Sequence, residues 1–347
     1  MDETLHCPLP IMDHTNIQLA HGAGGKLSAE LLEKLILPRF TNEILDSLED
    51  QATLTIGESR ISFTTDSFVV SPLFFPGGDI GKLSIYGTVN DLAMGGGIPR
   101  YISVSFVIEE GFAIAELHRV LLSMEEAAKK AGVLIVTGDT KVVDRGSCDR
   151  LFITTSGIGI VAPDRNPGIR RLCVGDKILL SGSIGDHGMA ILTSRENLSF
   201  ESRIESDCAP LNGLVEAMYQ VCPDIHTLRD PTRGGLAASV NEWAKSAQVG
   251  VQLYEKDIPM RSDVRGAGEL LGIDPLYVAN EGKLVAAVPE SVADEVLEAM
   301  RAHEYGRDAS VIGEITAEHP GMVVMKTALG VNRIVDMPLG EQLPRIC

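Results

Sequence analysis

The chain contains no Cys-x-x-Cys pair. Its six cysteines (Cys7, Cys148, Cys173, Cys208, Cys222 and Cys347) are scattered over 347 residues, which argues against a zinc site and against a disulfide framework. The five that precede the last residue read as packing residues. No apolar run approaches the roughly 20 residues needed to span a bilayer; residues 158–162 and 284–288 are among the longest. The N-terminus lacks the basic-then-apolar pattern of a signal segment, so a cytoplasmic protein without membrane contact is expected. Positive charge is also scarce: 30 Lys and Arg against 48 Asp and Glu give a net charge of −18. Such a field repels a nucleic-acid backbone. No nucleic-acid partner is expected, and any phosphate ligand must be held locally by metal ions and a few lysines. A repeat of 20–50 residues is absent too.

What is present is enough apolar content, 44%, for a large core and a length that suggests about two domains. Gly and Pro punctuation separates strands and helices in mixed order, so the fold reads as α/β or α+β. Ser28 to Leu35 opens with a capping residue and spaces its leucines along one helical face. Residues 60–66 and 101–107 alternate like half-buried strands. Leu117, Val120, Leu121, Met124 and Ala128 mark an amphipathic helix ending at Gly132, and Val133 to Val136 reads as a short buried strand. The Pro/Gly/Arg-rich stretch 163–171 is the best boundary. Beyond it strands near 176–182, 249–254, 283–288 and 310–315 alternate with helices near 187–196, 234–247 and 291–303. The expected division is an extension (1–15), an N-terminal domain (16–162), a C-terminal α/β domain (163–336) and a mobile tail (337–347).

Acids recur where strands or helices meet tight loops, the places where phosphate and metal sites are built. Thr65-Asp66 ends a strand, Asn90-Asp91 lies in a helix-like segment, Thr137-Gly138-Asp139-Thr140-Lys141 ends another strand, and Asp230 precedes a Gly-Gly helix start. Singly, an aspartate before Gly or Thr is more often a turn or helix cap than a metal ligand. Converged, they make a hard oxygen site suited to Mg²⁺ bridging nucleotide phosphates, with Lys141 neutralising the remaining charge. The glycine loop His21-Gly22-Ala23-Gly24-Gly25-Lys26 matches neither a P-loop nor a dinucleotide fingerprint; it reads as a lid over a phosphate or as a flexible entry to the next helix. Ser181 to Gly188 leads a strand into a helix N-terminus that favours anions, where His187 reads as a turn cap. The chain ends Pro344-Arg345-Ile346-Cys347. Pro338 and Pro344 disfavour helix before them, so the last eleven residues are expected to run extended, with a reach on the order of 35 Å, and to set Arg345 beside the terminal thiol.

In this order the pieces Gln18 to Gly25, Thr65-Asp66-Ser67, Pro72 to Gly78, Thr88 to Asp91, Thr137 to Val142, Ser181 to Gly188, Arg229 to Gly235, Asn280-Glu281-Gly282-Lys283 and the terminal Pro-Arg-Ile-Cys closely resemble the HypE family of hydrogenase maturation factors. That family belongs to the superfamily named for aminoimidazole ribonucleotide synthetase. The resemblance runs from about Asn16 to the end, and the terminal cysteine is its most specific part. It implies an ATP-dependent dehydration in which a carbamoyl group carried on Cys347 as a thiocarboxamide becomes a thiocyanate, supplying cyanide to nickel–iron hydrogenase. It further implies ATP and Mg²⁺ as cofactors, Asp66, Asp91, Asp139 and Asp230 as metal and phosphate-site acids, and Gly24, Gly25, Thr65, Asn90, Thr137 and Lys141 along the nucleotide. Glu281 is the first choice for the base that removes the amide proton and His21 the second; alternatively, Glu281 pairs with Lys283 or a helix N-terminus. Expected partners are a second copy, paired sheet to sheet in a barrel with the nucleotide between subunits, the carbamoyltransferase HypF and the HypC–HypD complex.

Two other classes remain open in the sequence. One is phosphotransfer to a free small molecule, as in selenophosphate synthetase or thiamine-phosphate kinase; the glycine loop lacks the reactive cysteine expected of the first, and a kinase would not need Cys347. The other is a nucleotide-gated scaffold whose tail only binds a partner.

Overall fold

Period-2 alternation is realised in a five-stranded sheet built from β1 (Ala52–Ile56), β2 (Ser59–Phe68), β5 (Gly97–Glu109), β6 (Leu134–Val143) and β7 (Leu151–Val161), in the order β1-β2-β7-β5-β6. A computed structural model gives these positions and describes residues 14–195, 204–338, 340 and 345–347. Residues 1–13, most of the expected N-terminal extension, and Pro344 in the tail lie outside the described residues. The hairpin of β3 (Phe74–Phe75) and β4 (Gly78–Asp79) follows β2. All pairings in the large sheet are antiparallel except β5 with β6, which run parallel. That pair needs a crossover, supplied by α4 (Ile114–Ala131), which ends at Gly132 with φ of 73°.

One sheet face packs on α3 (Ile80–Met94), buried along almost its whole length because the sheet covers one side and the second domain the other. Asp79 caps it, accepting from the N–H groups of Gly81 (2.8 Å) and Lys82 (3.1 Å). Phe68, Ile102 and Ile153 fill this core, each contributing about 1.5–3 kcal/mol. The opposite face is bare: Phe63, Ile158 and Tyr101 stand in register across three strands and all are exposed. The strand expected to be buried at 133–136 is the start of β6, an edge strand whose Leu134, Ile135, Val136 and Val142 are exposed. An apolar run signals burial of some kind; among the described residues nothing covers Leu134, Ile135 and Val136.

The first helical segment differs from its expected form. It comprises α1 (Lys26–Leu31), a π-turn over Leu32–Ile36 and α2 (Leu37–Phe40), none of it buried. Ser28 lies inside α1, and its hydroxyl accepts from the Gly24 N–H at 2.9 Å.

The C-terminal sheet has seven strands in the order β14-β13-β10-β12-β8-β11-β9: β8 (Lys177–Leu180), β9 (Thr227–Arg229), β10 (Gly250–Tyr254), β11 (Val285–Val288), β12 (Ser310–Thr316), β13 (Val323–Lys326) and β14 (Asn332–Ile334). Around it lie α5 (Asp186–Arg195), α6 (Asn212–Val221), α7 (Gly235–Ala247), α8 (Ser262–Leu271) and α9 (Ala293–Ala302). The fully buried Trp243 of α7 anchors one face. The N-terminal core also takes in Met189, Val264 and Ile346 from far along the chain, so the two halves share packing. No helix among the described residues is long and apolar enough to cross a membrane.

Candidate functional site

Along β2, successive side chains alternate between faces, which separates two neighbours of the predicted site. Asp66 faces inward with Thr64, whereas Thr65 lies on the exposed face, donating to the Thr155 carbonyl at 3.1 Å and accepting from Ser156 Oγ at 2.9 Å. In this chain Thr65 therefore does not join the acids. Asp91 of α3 meets the inner face of the strand, where the Thr64 hydroxyl donates to its Oδ2 at 2.8 Å. Asp230 approaches from the end of β9, and Glu281 from the turn before β11.

These four carboxyls lie within electrostatic reach of one another where the two domains meet. Burial first, then the charges of Asp230, Asp50 and Asp66, pushes Asp91 well above the ordinary carboxylate range. Burial likewise raises Asp230 to about 6 and raises Asp66, the nearby Arg233 opposing. Glu281, 3% exposed, is driven well up by burial and then by Asp230, Asp207 and Asp66; its buried Oε1 has no hydrogen-bond partner. Lys283 does not pair with it. That lysine sits 3.4 Å from Asp207, which also accepts from the N–H groups of Glu281 (3.1 Å) and Gly282 (3.3 Å) and so fixes the turn. A Cβ at Gly282 would lie 1.8 Å from the Asp207 carbonyl. Carboxylate oxygens are the donor type that suits a small hard cation, but those of Asp66, Asp91, Asp230 and Glu281 do not converge on one point in this conformation: among the described residues no three of them bring oxygens within 4.8 Å of one another.

Two cations face these acids: Arg229 opposes the burial of Asp230 more strongly than Arg233 does, and Arg233 also faces Asp66, Asp91 and Glu281. The Arg233 guanidinium holds its proton more tightly than usual, first because of the negative charge of Cys347 and then because of Asp66, Glu281 and Asp91. The terminal residue therefore lies within electrostatic reach of the acidic groove. Sequence reading passed over Arg233, although its place three residues after Asp230 was a usable signal, since buried acids require a nearby cation. It also passed over Asp50, buried 3.0 Å from Arg229 Nε, and Asp207, whose work is to hold backbone.

The remaining predicted residues divide. Asn90 is fully engaged in structure: its amide donates to the carbonyls of Ala209 (3.1 Å) and Glu281 (3.4 Å), and its oxygen accepts from Leu211 N–H (2.8 Å). These bonds tie α3 to the segments at 209–211 and 281. His21 is buried, but its Nδ1 accepts from Gln18 N–H at 2.9 Å. Gly24 has φ of 73°, and a Cβ there would strike the Arg233 carbonyl at 2.8 Å; at Gly25 it would strike the Pro338 carbonyl at 2.5 Å. The glycine loop is thus docked on the start of α7 and on the segment leading to the tail, with Arg233 Nη1 donating to the Gly22 carbonyl at 3.2 Å. Thr137, Asp139 and Lys141 stand apart on exposed β6, where Lys141 pairs with Asp139 at 2.8 Å. Within one chain the structure brings together three of the four predicted metal acids, and Asp139 is not among them.

The turn 181–188 offers no vacant helix N-terminus: Gly185 N–H donates to Asn280 Oδ1 (2.7 Å), Gly188 N–H to the Ala279 carbonyl (3.1 Å), and Asp186 occupies the position itself. Asp186 and Asp207 line a cleft of about 860 Å³ with Arg261, Lys283 and Arg307, and none of Asp66, Asp91, Asp230 and Glu281 lines it. Cys173, Asp176 and His226 do bring donor atoms within 4.8 Å of one another. Asp176 Oδ2 is already bonded to Cys173 N–H and His226 Nδ1, which makes this a braced turn.

The last three residues are docked. Arg345 has φ of 59° and pairs with Asp149, so the chain is not extended at this residue. Ile346 is buried in the N-terminal core, with Cys347 packed against it.

Comparison with known proteins follows this geometry. Residues 48–161 match the family described as AIR synthase related protein, N-terminal domain, and residues 174–326 the corresponding C-terminal domain. A carbamoyl dehydratase HypE of Azotobacter vinelandii is 52% identical over 332 residues, covering 96% of this chain and 97% of that protein. A solved HypE–HypF complex superposes with a TM-score of 0.85 at 49% identity, covering 89% of this chain and 99% of that one. A HypE structure in complex with ATP gives 0.81 at 48% identity, covering 96% and 100%. With both domains matched and half its residues shared along nearly the full length, the chain belongs to the AIR synthase related family and, within it, to the HypE carbamoyl dehydratases.

Proposed function

We propose that this enzyme converts a thiocarboxamide on its own Cys347 to a thiocyanate at the expense of ATP, supplying cyanide for nickel–iron hydrogenase. The carrying observation is that the terminal residue is docked, with Val69 N–H on the Cys347 backbone oxygen at 3.0 Å, within electrostatic reach of Arg233, which itself faces Asp66, Asp91 and Glu281. Oxide is a poor leaving group, so the amide oxygen must first take a phosphoryl group and then depart as phosphate. One N–H proton leaves as the oxygen is phosphorylated and the second as phosphate departs, leaving S–C≡N. A carboxylate raised by burial is a stronger base than a free one, which suits Glu281 to this task, with His21 as the second candidate. Arg233 balances charge developing beside the tail. Mg²⁺, held by Asp66, Asp91 and Asp230, would neutralise nucleotide phosphate charge.

Asp139, Lys141 and Thr137 reach such a site from a second copy of the chain. In support, β6 is an uncovered edge strand with exposed apolar side chains, beside the bare Phe63–Ile158–Tyr101 row; water-exposed apolar surface of this kind favours association. A homodimer with HypF as carbamoyl donor, HypC–HypD as acceptor and a cytoplasmic site of action complete the proposal.

The test uses purified protein carbamoylated with cyanate, then given ATP and Mg²⁺, with the C-terminal peptide weighed by mass spectrometry. Loss of one water from the modified Cys347 peptide that needs ATP and is absent in Asp91→Ala is expected. An intact carbamoylated tail beside active nucleotide hydrolysis would instead favour phosphotransfer to a free substrate.

A further inference from the structure

The sequence motif around His187 plays no part in the acid groove. His187 is the second residue of α5, in the C-terminal half, with no exposed surface. Its Nε2 lies 2.7 Å from the Ile346 carbonyl and its Nδ1 2.8 Å from Ser206 Oγ. A carbonyl can only accept, so Nε2 carries the proton, and in the neutral ring Nδ1 then accepts from the Ser206 hydroxyl. Ser206 Oγ in turn accepts from Cys208 N–H at 3.1 Å, while Ser206 N–H donates to the Pro76 carbonyl at 2.9 Å. The relay is complete and directional. Burial lowers the affinity of the ring for a second proton, and the Phe75 ring meets the imidazole edge to face at 5.5 Å.

We propose that His187 is the positioning residue that seats the C-terminal tail for reaction, a role that rests on the carrier function of Cys347 proposed above. The contact is one residue from the thiol, so the bond that holds the Ile346 carbonyl also fixes where Cys347 enters the groove. Three further bonds complete the seat: Val69 N–H to the Cys347 carbonyl oxygen (3.0 Å), Ser71 N–H to the Arg345 carbonyl (3.2 Å), and Arg195 Nη2 to the same carbonyl (2.9 Å). Two of these four donors are backbone groups of the N-terminal domain. His187 and Arg195 are side chains of α5, so the tail lies across the junction and is held from both sides. A carrier must leave its seat to be loaded and return to react; four hydrogen bonds of modest net strength, about 1 kcal/mol each, allow both.

The experiment compares wild type, His187→Leu and His187→Gln; glutamine keeps an N–H donor near the Nε2 position. The first readout is alkylation of Cys347 by iodoacetamide, followed on the C-terminal peptide. His187→Leu should react about fivefold faster or more, as expected for loss of roughly 1 kcal/mol of seating, and His187→Gln should return to within about twofold of wild type. The second readout is ATP-driven water loss from the cyanate-carbamoylated tail. In His187→Leu it should fall by at least the same factor in kcat, with KM for ATP unchanged, and glutamine should restore it. Equal alkylation in wild type and His187→Leu, no rescue by glutamine, or a KM for ATP that rises in step with the loss of kcat would each overturn the proposal. If His187→Leu does not fold, Ser206→Ala keeps the ring but removes the donor to Nδ1, and it should speed alkylation above wild type; an unchanged rate there overturns the proposal equally. If the wild-type tail alkylates slowly but never loses water, the dehydratase reading fails while the seat stands.

Discussion

The N-terminal sheet carries two aspartates in closely similar local sequence, Thr65-Asp66-Ser67 on β2 and Gly138-Asp139-Thr140 on β6, and they meet opposite environments. In both the aspartate Oδ1 accepts from the next N–H, at 2.7 Å for Asp66 and 2.8 Å for Asp139. Burial raises Asp66 above the ordinary carboxylate range. Asp139 is fully exposed, and a hydrogen bond from Lys141 holds it below that range. Strand neighbours make the difference: β2 is an interior strand under α3, while β6 is the sheet edge. One motif faces other acids within the chain, and the other stands on an exposed edge.

The largest effect is expected inside the groove. Cys347→Ser should abolish water loss from the tail while leaving the fold intact, and Glu281→Gln should lower its rate by about 10²–10⁴-fold, both read by mass spectrometry of the C-terminal peptide. An equal loss in His21→Asn with Glu281→Gln active would reassign the base.

The exposed strand is tested next. Asp139→Asn should cost about 10²-fold in turnover, although the residue touches nothing in its own groove. Mixed dimers of Asp139→Asn and Cys347→Ser chains, each inactive alone, should recover about a quarter of wild-type turnover, because one site in each heterodimer is whole. No recovery would confine Asp139 to its own surface.

A smaller effect should follow at Asn90. Its Ala variant leaves buried backbone groups at 209, 211 and 281 without partners and should destabilise the protein by about 1–3 kcal/mol, seen in urea unfolding, with ATP affinity in the folded fraction nearly unchanged. A large affinity loss at unchanged stability would restore Asn90 to the nucleotide.

The smallest effect concerns pH. Asp230 and Asp186 are both raised to about 6, mainly by burial. Groups raised on folding bind protons more tightly in the native state, so their contribution is full below about pH 4 and is lost as pH rises through about 6. Metal-free protein should therefore lose a few degrees of Tm from these groups between pH 4 and 7. Mg²⁺ should reverse the part due to Asp230 and leave the part due to Asp186, which lines the cleft with Asp207. Identical thermal scans with and without Mg²⁺ at pH 7 would remove the cation from the groove.

Much of this was legible in the chain. The helix ending at Gly132, the Gly-Gly start of α7 and the strands of the C-terminal half follow from local periodicity and backbone freedom, which act over a few residues. So do the acids themselves, because an aspartate beside Gly or Thr at an element's end marks a loop able to carry chemistry. Local pattern does not carry what distant neighbours decide. Sequence proximity hides the alternation that puts Thr65 and Asp66 on opposite faces, and an apolar run does not say what covers it, so Val133 is buried while Leu134, Ile135 and Val136 are exposed. The partners of Asn90 at 209, 211 and 281 lie far away in sequence.

Composition and local pattern decided the two-layered α/β character, the chemical type of the site and the presence of a terminal thiol, since these depend on residue identity and short-range geometry. Tertiary structure alone decided that Arg233 stands among the carboxyls, that Asp139 stands outside them, and that a histidine in α5 holds the carbonyl next to Cys347. Burial, charge crowding and a hydrogen bond between residues 159 positions apart exist only once distant segments share one dry space, where low dielectric makes each neighbour count.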